Sequence, residues 1–357
     1  MIWIFLILTI LVLGFLERRW APYALQYIQA SSQGASVLAQ PGEKVIWTTT
    51  VENHGPLPVP FLRLELRFPN ELQSADSDLW IRGHSRSGIQ RWTTEERLSL
   101  GAHRSRSRSI PLTPLRRGEF EPGGCRLSVG DLLGFQETSL ELPAGKLVVM
   151  PEPAKNLRTF QAVSGFLGDI SVRRFILEDP ILTIGFRDYT GREPMKDVSW
   201  TRTAMTGKLQ VKQYDHTAEQ SVTILLNAEG ACAEEMEAMF RQMRSVCEEL
   251  ERKKIPFSIR TNGCLNGPVG KLFHLSEGLG QQHLNTILYS LGRADYTCYF
   301  SFRQLARKAL DHRKSNESYL VISPKESPVL SQSIRQLEAA SGHPVCILYG
   351  SWEVPKS

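Results

Sequence analysis

The sequence predicts an α+β multidomain chain with an N-terminal transmembrane helix, an antiparallel β-sandwich and then an α/β domain. Three observations predict it: an apolar run over residues 2–16, short alternating runs broken by Pro and Gly over 31–153, and strands alternating with helices from 221 onward. The predicted boundaries are 1–20 for the anchor, 30–155 for the sandwich and 156–357 for the remainder. A length of 357 residues suits two or three domains.

Composition and charge exclude several classes of protein. The chain is 41% hydrophobic and 22% charged, which is typical of ordinary globular protein. A net charge of +5 is too small for a dedicated nucleic-acid binder, so we expect no nucleic-acid partner. The 6 cysteines include no C-x-x-C spacing, which excludes a zinc ribbon or a thioredoxin-type motif. We interpret them as small buried side chains in a reducing compartment.

The N-terminal apolar run predicts a membrane anchor. Residues 2–16 contain no charge and are followed by Arg18, Arg19 and Trp20. Such a helix covers ~24 Å of a ~30 Å hydrocarbon core, and the flanking Arg and Trp side chains offset the difference. A cleaved signal peptide requires basic residues before the run, and there are none. Because the arginines follow the run, we expect a single-pass cell-membrane protein with a cytoplasmic C-terminal body.

Two patterns of strands and helices follow the anchor. Alternating apolar residues predict sandwich strands at 45–51, 61–68, 104–112 and 146–150. In the α/β part, strands are predicted at 221–227, 256–261, 319–323 and 344–349, with helices at 232–254, 278–291, 301–313 and 327–340. This alternation predicts a parallel sheet with helices on both faces.

The segment between the two patterns carries a family resemblance. It resembles the signature of the bacterial domain of unknown function 58 family, R-x-Y-x-x-G-D-x-x-R-x-I-x-W followed by a small-residue turn and an L-x-V-K strand. The matching positions are Arg187, Tyr189, Trp200, Ala204, Leu209, Val211 and Lys212. Glu193 replaces the usual aspartate and Lys196 an arginine. The sequences Arg117-Gly118 and Asp131-Leu132-Leu133-Gly134-Phe135 resemble two upstream elements of the family.

The resemblance implies a β-sandwich behind a membrane anchor and then a domain similar to the von Willebrand factor A fold. It also implies a MoxR-type AAA+ ATPase, and other membrane proteins, as partners in assembly or maturation of further proteins. No reaction is established for the family. We therefore predict no catalytic residue and no cofactor, and assign interaction roles to Arg187, Tyr189, Glu193, Lys196, Trp200 and Lys212.

A metal site of the von Willebrand A type is predicted to be degenerate. Such a site places D-x-S-x-S after the first strand, because Mg²⁺ prefers carboxylate and hydroxyl oxygens. The corresponding positions here are Asn227, Glu229 and Ala231. Asn227 brings no charge and Ala231 no oxygen. We predict no bound metal, while Glu229 leaves open a residual cation site.

The acidic cluster from Asp188 to Asp197 has a catalytic and a structural interpretation. Paired carboxylates perform acid/base chemistry when their pKa values are split by environment. The alternative is an ion network of Arg187, Glu193, Lys196 and Asp197, covered by Tyr189 and Trp200. The sequence favours the structural interpretation.

Nine arginines lie between Ile81 and Gly118, against two acidic residues, Glu95 and Glu96. They are Arg82, Arg86, Arg91, Arg97, Arg104, Arg106, Arg108, Arg116 and Arg117. One interpretation is contact with anionic lipid through this Arg82–Arg117 region. The other is a solvated strand face on which Arg104, Arg106 and Arg108 alternate outward with serines.

Together these observations predict a membrane-anchored, non-enzymatic protein-interaction scaffold that partners a MoxR-type AAA+ ATPase. Two alternatives stay open. One is a cation-dependent adaptor that binds a target carboxylate through a residual site at Glu229. The other is an uncharacterised hydrolase that uses the Asp188–Asp197 cluster.

Overall fold

The structure, a computed structural model, divides into two compact units, Met1–Glu152 and Pro153–Ser357. The residues that the structure describes are 22–34, 37–74, 81–84, 90–130, 137–143, 145–176, 179–191, 193–215, 220–266, 270–314 and 316–352.

The first unit consists mainly of strands, which pair antiparallel except for the parallel pair of Leu38–Ala39 with Leu147–Val149. They are β1 (Ile28–Gly34), β2 (Leu38–Ala39), β3 (Val45–Asn53), β4 (Val59–Pro69), β5 (Leu72–Ser74), β6 (Ile81–His84), β7 (Gln90–Leu100), β8 (Ser105–Pro114), β9 (Gly118–Phe120), β10 (Gly124–Gly130), β11 (Glu137–Leu142) and β12 (Leu147–Val149). They form sheets of order β1-β3-β8-β5 and β11-β10-β4-β7-β6, and a small sheet β2-β12-β9. One hydrophobic core joins residues of all three sheets. The predicted β-sandwich is confirmed.

Two tryptophans anchor the core of the sandwich. Trp47 on β3 and Trp92 on β7 are fully buried, on strands whose side chains alternate between core and solvent. Their polar atoms are satisfied, because Trp47 Nε1 donates to Ser32 Oγ at 2.7 Å and Trp92 Nε1 donates to the Leu72 carbonyl at 2.7 Å. Trp92 also stacks on Phe68 with a centroid separation of 4.5 Å. These contacts fix the two sheets over one core.

The second unit alternates helices and strands. It contains α1 (Leu157–Ile176), β13 (Asp179–Asp188), α2 (Trp200–Thr206), β14 (Gln210–Asp215), β15 (Ser221–Leu226), α3 (Ala233–Arg252), β16 (Phe257–Thr261), β17 (His274–Gly278), α4 (Gln281–Arg293), α5 (Phe302–Asp311), β18 (Glu317–Ser323), α6 (Pro328–Ser341) and β19 (Cys346–Tyr349). Five strands form one sheet of order β17-β16-β15-β18-β19, in which only the pairing of β17 with β16 is antiparallel. The central strands β15 and β18 are buried along their whole length, as expected of strands covered on both faces.

Several elements of this unit, helix α1 and strand β17 among them, were not predicted from the sequence. Helix α1 buries Val163, Phe166, Leu167 and Ile170, which follow a helical spacing that the sequence analysis overlooked. Strand β17 lies at the edge of the sheet and is mostly exposed, so it has no buried alternation to reveal it.

The predicted fold class and single-pass membrane location need correction. No helix within the described ranges is long and apolar enough to cross a membrane. The predicted anchor over 1–20 lies outside the described residues. The transmembrane helix and the membrane location are therefore not carried further.

The predicted orientation of the serine–arginine strand is also wrong. In β8 the exposed outer positions belong to Ser107 and Ser109, whose hydroxyls pair with Thr50 at 2.9 Å and Thr48 at 3.0 Å. Arg106 and Arg108 lie opposite Val51 and Thr49 of β3, which are buried. Arg106 has this parity but stays exposed near the start of the strand, as Arg104 does before it, whereas Arg108 is half-buried on the inner side. Arg108 is stabilised there by an ion pair of 2.6 Å with Glu96 on β7.

Candidate functional site

Two places in the second unit hold the residues singled out from the sequence. One is the end of the parallel sheet where β15, β16 and β18 finish side by side, which contains Asn227 and Glu229. The other is the segment 186–212, which we call the signature segment. Crevices outside the carboxyl ends of parallel strands are the usual binding positions in open α/β sheets, which makes the first a candidate by topology.

Side-chain amides join the strand ends. Asn227 Oδ1 accepts from Asn262 Nδ2 and from the Glu229 backbone N–H, both at 3.0 Å, while Asn227 Nδ2 donates to Ser323 Oγ at 3.1 Å. Asn262 Oδ1 accepts from the Ala228 N–H at 2.7 Å. Asn227, Asn262 and Ser323 are buried. We call these three side chains the amide network.

Glu229 has a structural partner at the same edge. Its Oε2 accepts the backbone N–H of Phe302 at 2.8 Å, in the first turn of α5. The first N–H groups of a helix have no intrahelical acceptor and favour negative charge, so the carboxylate stabilises this helix end. Two of the three predicted metal-site positions thus have hydrogen-bond partners in the protein. Asn227 bonds the side-chain amide of Asn262, and Glu229 bonds the first turn of α5.

The chemistry of this edge suits hydrogen bonding more than cation binding. A working site of the expected kind needs carboxylate and hydroxyl oxygens from several loops. Here the central oxygen, Asn227 Oδ1, already accepts two hydrogen bonds. Within the described residues, no group of three or more His, Cys, Asp or Glu side chains is arranged to hold a metal ion.

In the signature segment β13 and β14 form a two-stranded sheet, and helix α2 lies between them in the chain, just before β14. Strand β14 pairs with β13 on one side, with Phe186 opposite Lys212 and Asp188 opposite Gln210, and with Val198 through an isolated bridge to Val211 on the other. A hydrogen bond of 3.1 Å from the Gln210 N–H to Thr203 Oγ1 ties α2 to β14. Gly207 ends α2 in the left-handed conformation, which favours glycine. The segment therefore has a defined local structure despite its irregular sequence.

An ion pair stands at the centre of the signature. Arg187 Nη1 lies 2.6 Å from Glu193 Oε1, and Thr190 donates to the same carboxylate from its hydroxyl at 2.8 Å and its backbone N–H at 3.0 Å. These bonds, that of the Thr190 hydroxyl first, hold the pKa of Glu193 at about 2, below its usual 4.5. Glu193 is thus ionised at neutral pH and unsuited to act as a general acid.

The other carboxylates of the Asp188–Asp197 cluster have separate surroundings. Asp188 accepts a hydrogen bond from the side-chain amide of Gln210, whereas Glu193 is held by Arg187 and Thr190. Asp197 lies in a turn of 3₁₀-helix, Met195–Asp197, and its N–H donates to the Pro194 carbonyl. The partners of Asp188 and Glu193 are different residues, which favours the structural interpretation of the cluster.

The predicted cover of this cluster by Trp200 is wrong. Trp200 is 60% exposed, Met205 75% and Met195 54%, and Phe186 and Leu209 are also exposed. Phe186 is covered on one side by the Arg202 guanidinium, 5.0 Å from the ring centroid. Lys196 is exposed as well, and Tyr189 and Lys212 are half-buried. The signature segment therefore presents large apolar side chains and cations to solvent.

The arginines of the Arg82–Arg117 region are partly neutralised. Arg97 lies 3.2 Å from Glu95, Arg108 2.6 Å from Glu96 and Arg116 2.7 Å from Glu71. The side chains of Arg82 and Arg86 lie outside the part of the chain that the structure describes. Contact of this region with anionic lipid stays a prediction.

Sequence analysis missed Asn262 and Ser323 as members of the amide network. Both follow or end a buried strand, Asn262 directly after β16 and Ser323 at the end of β18. Polar residues at the ends of neighbouring parallel strands are a usable signal, because those ends meet at one edge. The contact of Glu229 with Phe302 has no such signal, since 73 residues separate the two.

Comparisons with known proteins do not assign the chain to a family. No protein-family model matches the chain, and no curated protein matches it. A CARDB domain from Pyrococcus furiosus is similar with a TM-score of 0.22 and 12% identity, over 34% of this chain and 91% of that one. A cohesin module from Clostridium perfringens is similar with a TM-score of 0.24 and 13% identity, over 34% of this chain and 96% of that one. Such scores carry no argument about this chain. No family match therefore supports the von Willebrand A part of the predicted fold class.

Proposed function

We propose that the chain is a non-enzymatic protein-interaction scaffold whose signature segment binds a partner protein. The observation that carries this proposal is the exposure of Trp200, Met205 and Met195 within 11 residues of sequence. Tryptophan and methionine are enriched at protein interfaces, and clustered exposed apolar residues on a soluble protein typically mark an interaction site.

The hydrogen bonds of the segment support a preformed binding surface. Arg187, Thr190 and Glu193 bond to one another, and Thr203 bonds to the Gln210 backbone. A surface that is ordered before binding loses less conformational entropy on association than a disordered one. The polar residues of the signature thus hold the backbone, while the apolar ones are left for a partner.

Charge indicates what kind of partner surface fits. Residues 186–212 contain Arg187, Arg192, Lys196, Arg202, Lys208 and Lys212 against Asp188, Glu193 and Asp197. Glu193 is paired with Arg187, which leaves an excess of cations beside the exposed apolar side chains. A partner with an acidic rim around an apolar patch is complementary to this surface. Following the family resemblance, we propose a MoxR-type AAA+ ATPase as that partner.

The test measures binding of a purified, nucleotide-free MoxR-type ATPase from the same organism to the full chain. Trp200→Ala is compared with Phe61→Ala, which truncates an equally exposed aromatic residue on the sandwich. We expect Trp200→Ala to weaken binding by about tenfold or more, as at interface hot spots, and Phe61→Ala to leave it unchanged.

Each measurement is repeated with EDTA and with Mg²⁺. Nucleotide is omitted so that chelation acts on this chain and not on ATP. Equal binding in both supports a scaffold that uses no cation. Binding only with Mg²⁺ would favour the cation-dependent adaptor, and equal loss in both variants or no binding at all would contradict the assigned surface and partner.

A further inference from the structure

Aromatic side chains of two loops meet at the carboxyl end of β16. One loop leads from β16 to β17 and contains Phe273, and the other leads from α4 to α5 and contains Tyr299 and Phe300. The Phe273 ring packs edge-on against both others, at centroid separations of 5.4 Å from Tyr299 and 5.5 Å from Phe300. We call these three rings the aromatic cluster.

Backbone hydrogen bonds hold both loops against the strand. The N–H of Thr261, the last residue of β16, donates to the Phe273 carbonyl at 2.8 Å. The N–H of Tyr299 donates to the carbonyl of Asn262, the next residue along, at 2.8 Å as well. The aromatic cluster therefore lies just outside the carboxyl end of a parallel strand, which is where open α/β sheets usually bind their ligands.

Two lysines lie over these rings. Lys271 Nζ is 5.3 Å from the ring centroid of Tyr299, and Lys308 Nζ, on α5, is 4.3 Å from that of Phe300. Both lysines are exposed, and Tyr299 keeps 38% of its surface accessible. A cation over an aromatic face is attracted by the ring quadrupole. The rings thus hold the two ammonium groups in place at the surface.

In the described part of the chain, neither of these two ammonium groups has a carboxylate partner. Lys314 differs, because its Nζ lies 2.8 Å from Glu277. An ammonium group has three N–H donors and no acceptor. Lys271 and Lys308 therefore offer unneutralised charge and hydrogen-bond donors to an external anion.

The sequence around the second loop carries an excess of positive charge. Residues 293–314 contain Arg293, Arg303, Arg307, Lys308, Arg313 and Lys314 against Asp295 and Asp311. Arg260, near the same end of β16, donates to the Lys308 carbonyl at 2.9 Å and so places a further cation there. An acidic ligand is complementary to this surface.

The arrangement of the rings favours an acidic protein segment over a nucleic acid. Single strands of nucleic acid bind by stacking their bases on open aromatic faces. Here one face of Tyr299 and one of Phe300 lie under ammonium groups, and the third ring packs between them. Carboxylates need only the ammonium groups, and a cation that is already ordered loses less conformational entropy on binding.

We propose that the aromatic cluster, with Lys271 and Lys308, binds a segment of a partner protein rich in Asp and Glu. The carboxylates of that segment pair with the two ammonium groups, and the exposed rim of Tyr299 packs against its backbone. The site uses no residue of the signature segment. The inference therefore goes beyond the proposed function, and either can fail without the other.

The test measures binding of a fluorescein-labelled peptide of ten glutamates to the full chain by fluorescence anisotropy at low ionic strength. A mild non-ionic detergent is present, because residues 2–16 are apolar. The double variant Lys271→Gln/Lys308→Gln removes both ammonium groups from exposed side chains. We expect it to raise the dissociation constant by about tenfold or more.

The matched control is Lys196→Gln/Lys208→Gln, which removes the same charge from two exposed lysines of the signature segment. We expect it to leave peptide binding unchanged, because the partner proposed for that segment supplies an apolar patch and the peptide has none.

A second pair of variants tests the rings. Tyr299→Leu removes the ring beneath Lys271 but keeps the ammonium group and the backbone N–H that donates to Asn262. We expect it to weaken peptide binding by about threefold, because Lys271 must then be ordered on binding. Tyr299→Phe keeps the ring and is expected to bind the peptide as the original chain does.

Four results would overturn the proposal. They are an original chain that does not bind the peptide, unchanged binding in the Lys271→Gln/Lys308→Gln variant, equal weakening in the signature-segment control, and unchanged binding in Tyr299→Leu. The same titrations are made with a labelled strand of ten deoxythymidines. Binding tighter than that of the peptide, and lost in Tyr299→Leu, would instead assign the surface to single-stranded nucleic acid.

Discussion

The side-chain amide of Asn262 donates a hydrogen bond of 3.0 Å to the side-chain oxygen of Asn227, across the ends of two neighbouring parallel strands. The same Asn262 accepts the Ala228 N–H through its own oxygen, and Asn227 reaches Ser323 at the end of β18. Three adjacent strand ends are thus joined by neutral groups. A cation commonly provides such a link at an oxygen-rich site, but here the amides satisfy one another.

We predict that Asn262→Ala destabilises the protein by about 1–3 kcal/mol, because it leaves the buried Ala228 N–H without its acceptor. Chemical denaturation monitored by circular dichroism measures the change in the free energy of unfolding. Asn285→Ala is the matched control, since Asn285 is exposed on α4 and only accepts from Gln281 on the same helix. An Asn262→Ala protein as stable as the control would show that the network is not needed for folding.

Glu229→Ala is expected to lower the free energy of unfolding by about 0.5–1 kcal/mol, through loss of the carboxylate at the N-terminus of α5. This loss should be the same with Mg²⁺ and with EDTA, because the contact is to a backbone N–H. The measurement is a urea titration of both proteins in both buffers. A Mg²⁺-dependent rise in the stability of the original chain that disappears in Glu229→Ala would instead support the cation-dependent adaptor.

Cys232→Ser is expected to stabilise the chain. The thiol of Cys232 occupies the N-cap of α3 and accepts the Glu235 N–H at 3.5 Å, while Glu235 Oε2 accepts the Cys232 N–H at 3.0 Å. This is a capping box in which a weak sulfur acceptor stands where Ser or Thr is preferred.

A serine hydroxyl keeps the geometry and accepts a stronger bond, so we expect a gain of about 0.5–1 kcal/mol. The measurement is the urea concentration at the midpoint of unfolding, compared at an unchanged dependence of the free energy of unfolding on urea. Cys298→Ser, at another exposed cysteine that is not an N-cap, is the control and should change little. A loss of stability in Cys232→Ser would mean that the thiol packs more favourably than the cap geometry indicates.

The sequence predicts local elements better than it predicts their contacts. The helical stripe of α3 and the buried run of β15 are visible as periodicity, because each depends on neighbours a few residues apart. The pairing of Asn227 with Asn262 spans 35 residues and exists only once β15 and β16 lie side by side. No local pattern contains that information.

The error at β8 has a related cause. Serine and arginine alternate along the strand, which correctly indicates two faces, but the prediction overlooked that Arg108 shares its parity with Ile110 and Leu112. Ile110 and Leu112 are buried in the core, so the period of two places Arg108 on the inner face as well. Glu96 on β7 then compensates its charge with a carboxylate at 2.6 Å. Trp200 shows the opposite case, an aromatic residue expected to pack that the fold leaves exposed.

Glu193 gives a prediction about pH. Hydrogen bonds from Thr190 and Arg187 hold its pKa at about 2, against a usual value of 4.5. Because the folded value is the lower one, ionised Glu193 contributes stability above pH 4.5, and this contribution is lost as the pH falls from 4.5 through about 2. We expect the original chain to have a larger free energy of unfolding than Glu193→Gln at neutral pH. This difference should decrease as the pH falls below 4.5 and disappear near pH 2.

The measurement is the free energy of unfolding of both proteins between neutral pH and pH 2, with the ionic strength held constant. Thr190→Val serves as a second variant, because it removes the hydroxyl that donates to Glu193 at 2.8 Å and keeps the backbone N–H. It should raise the pKa of Glu193 and move the loss of stability to higher pH. Parallel pH profiles of all three proteins would mean that the Arg187–Glu193 pair is too solvated to support the fold, and that the signature segment owes its order to the backbone contacts of Val198 and Val211 instead.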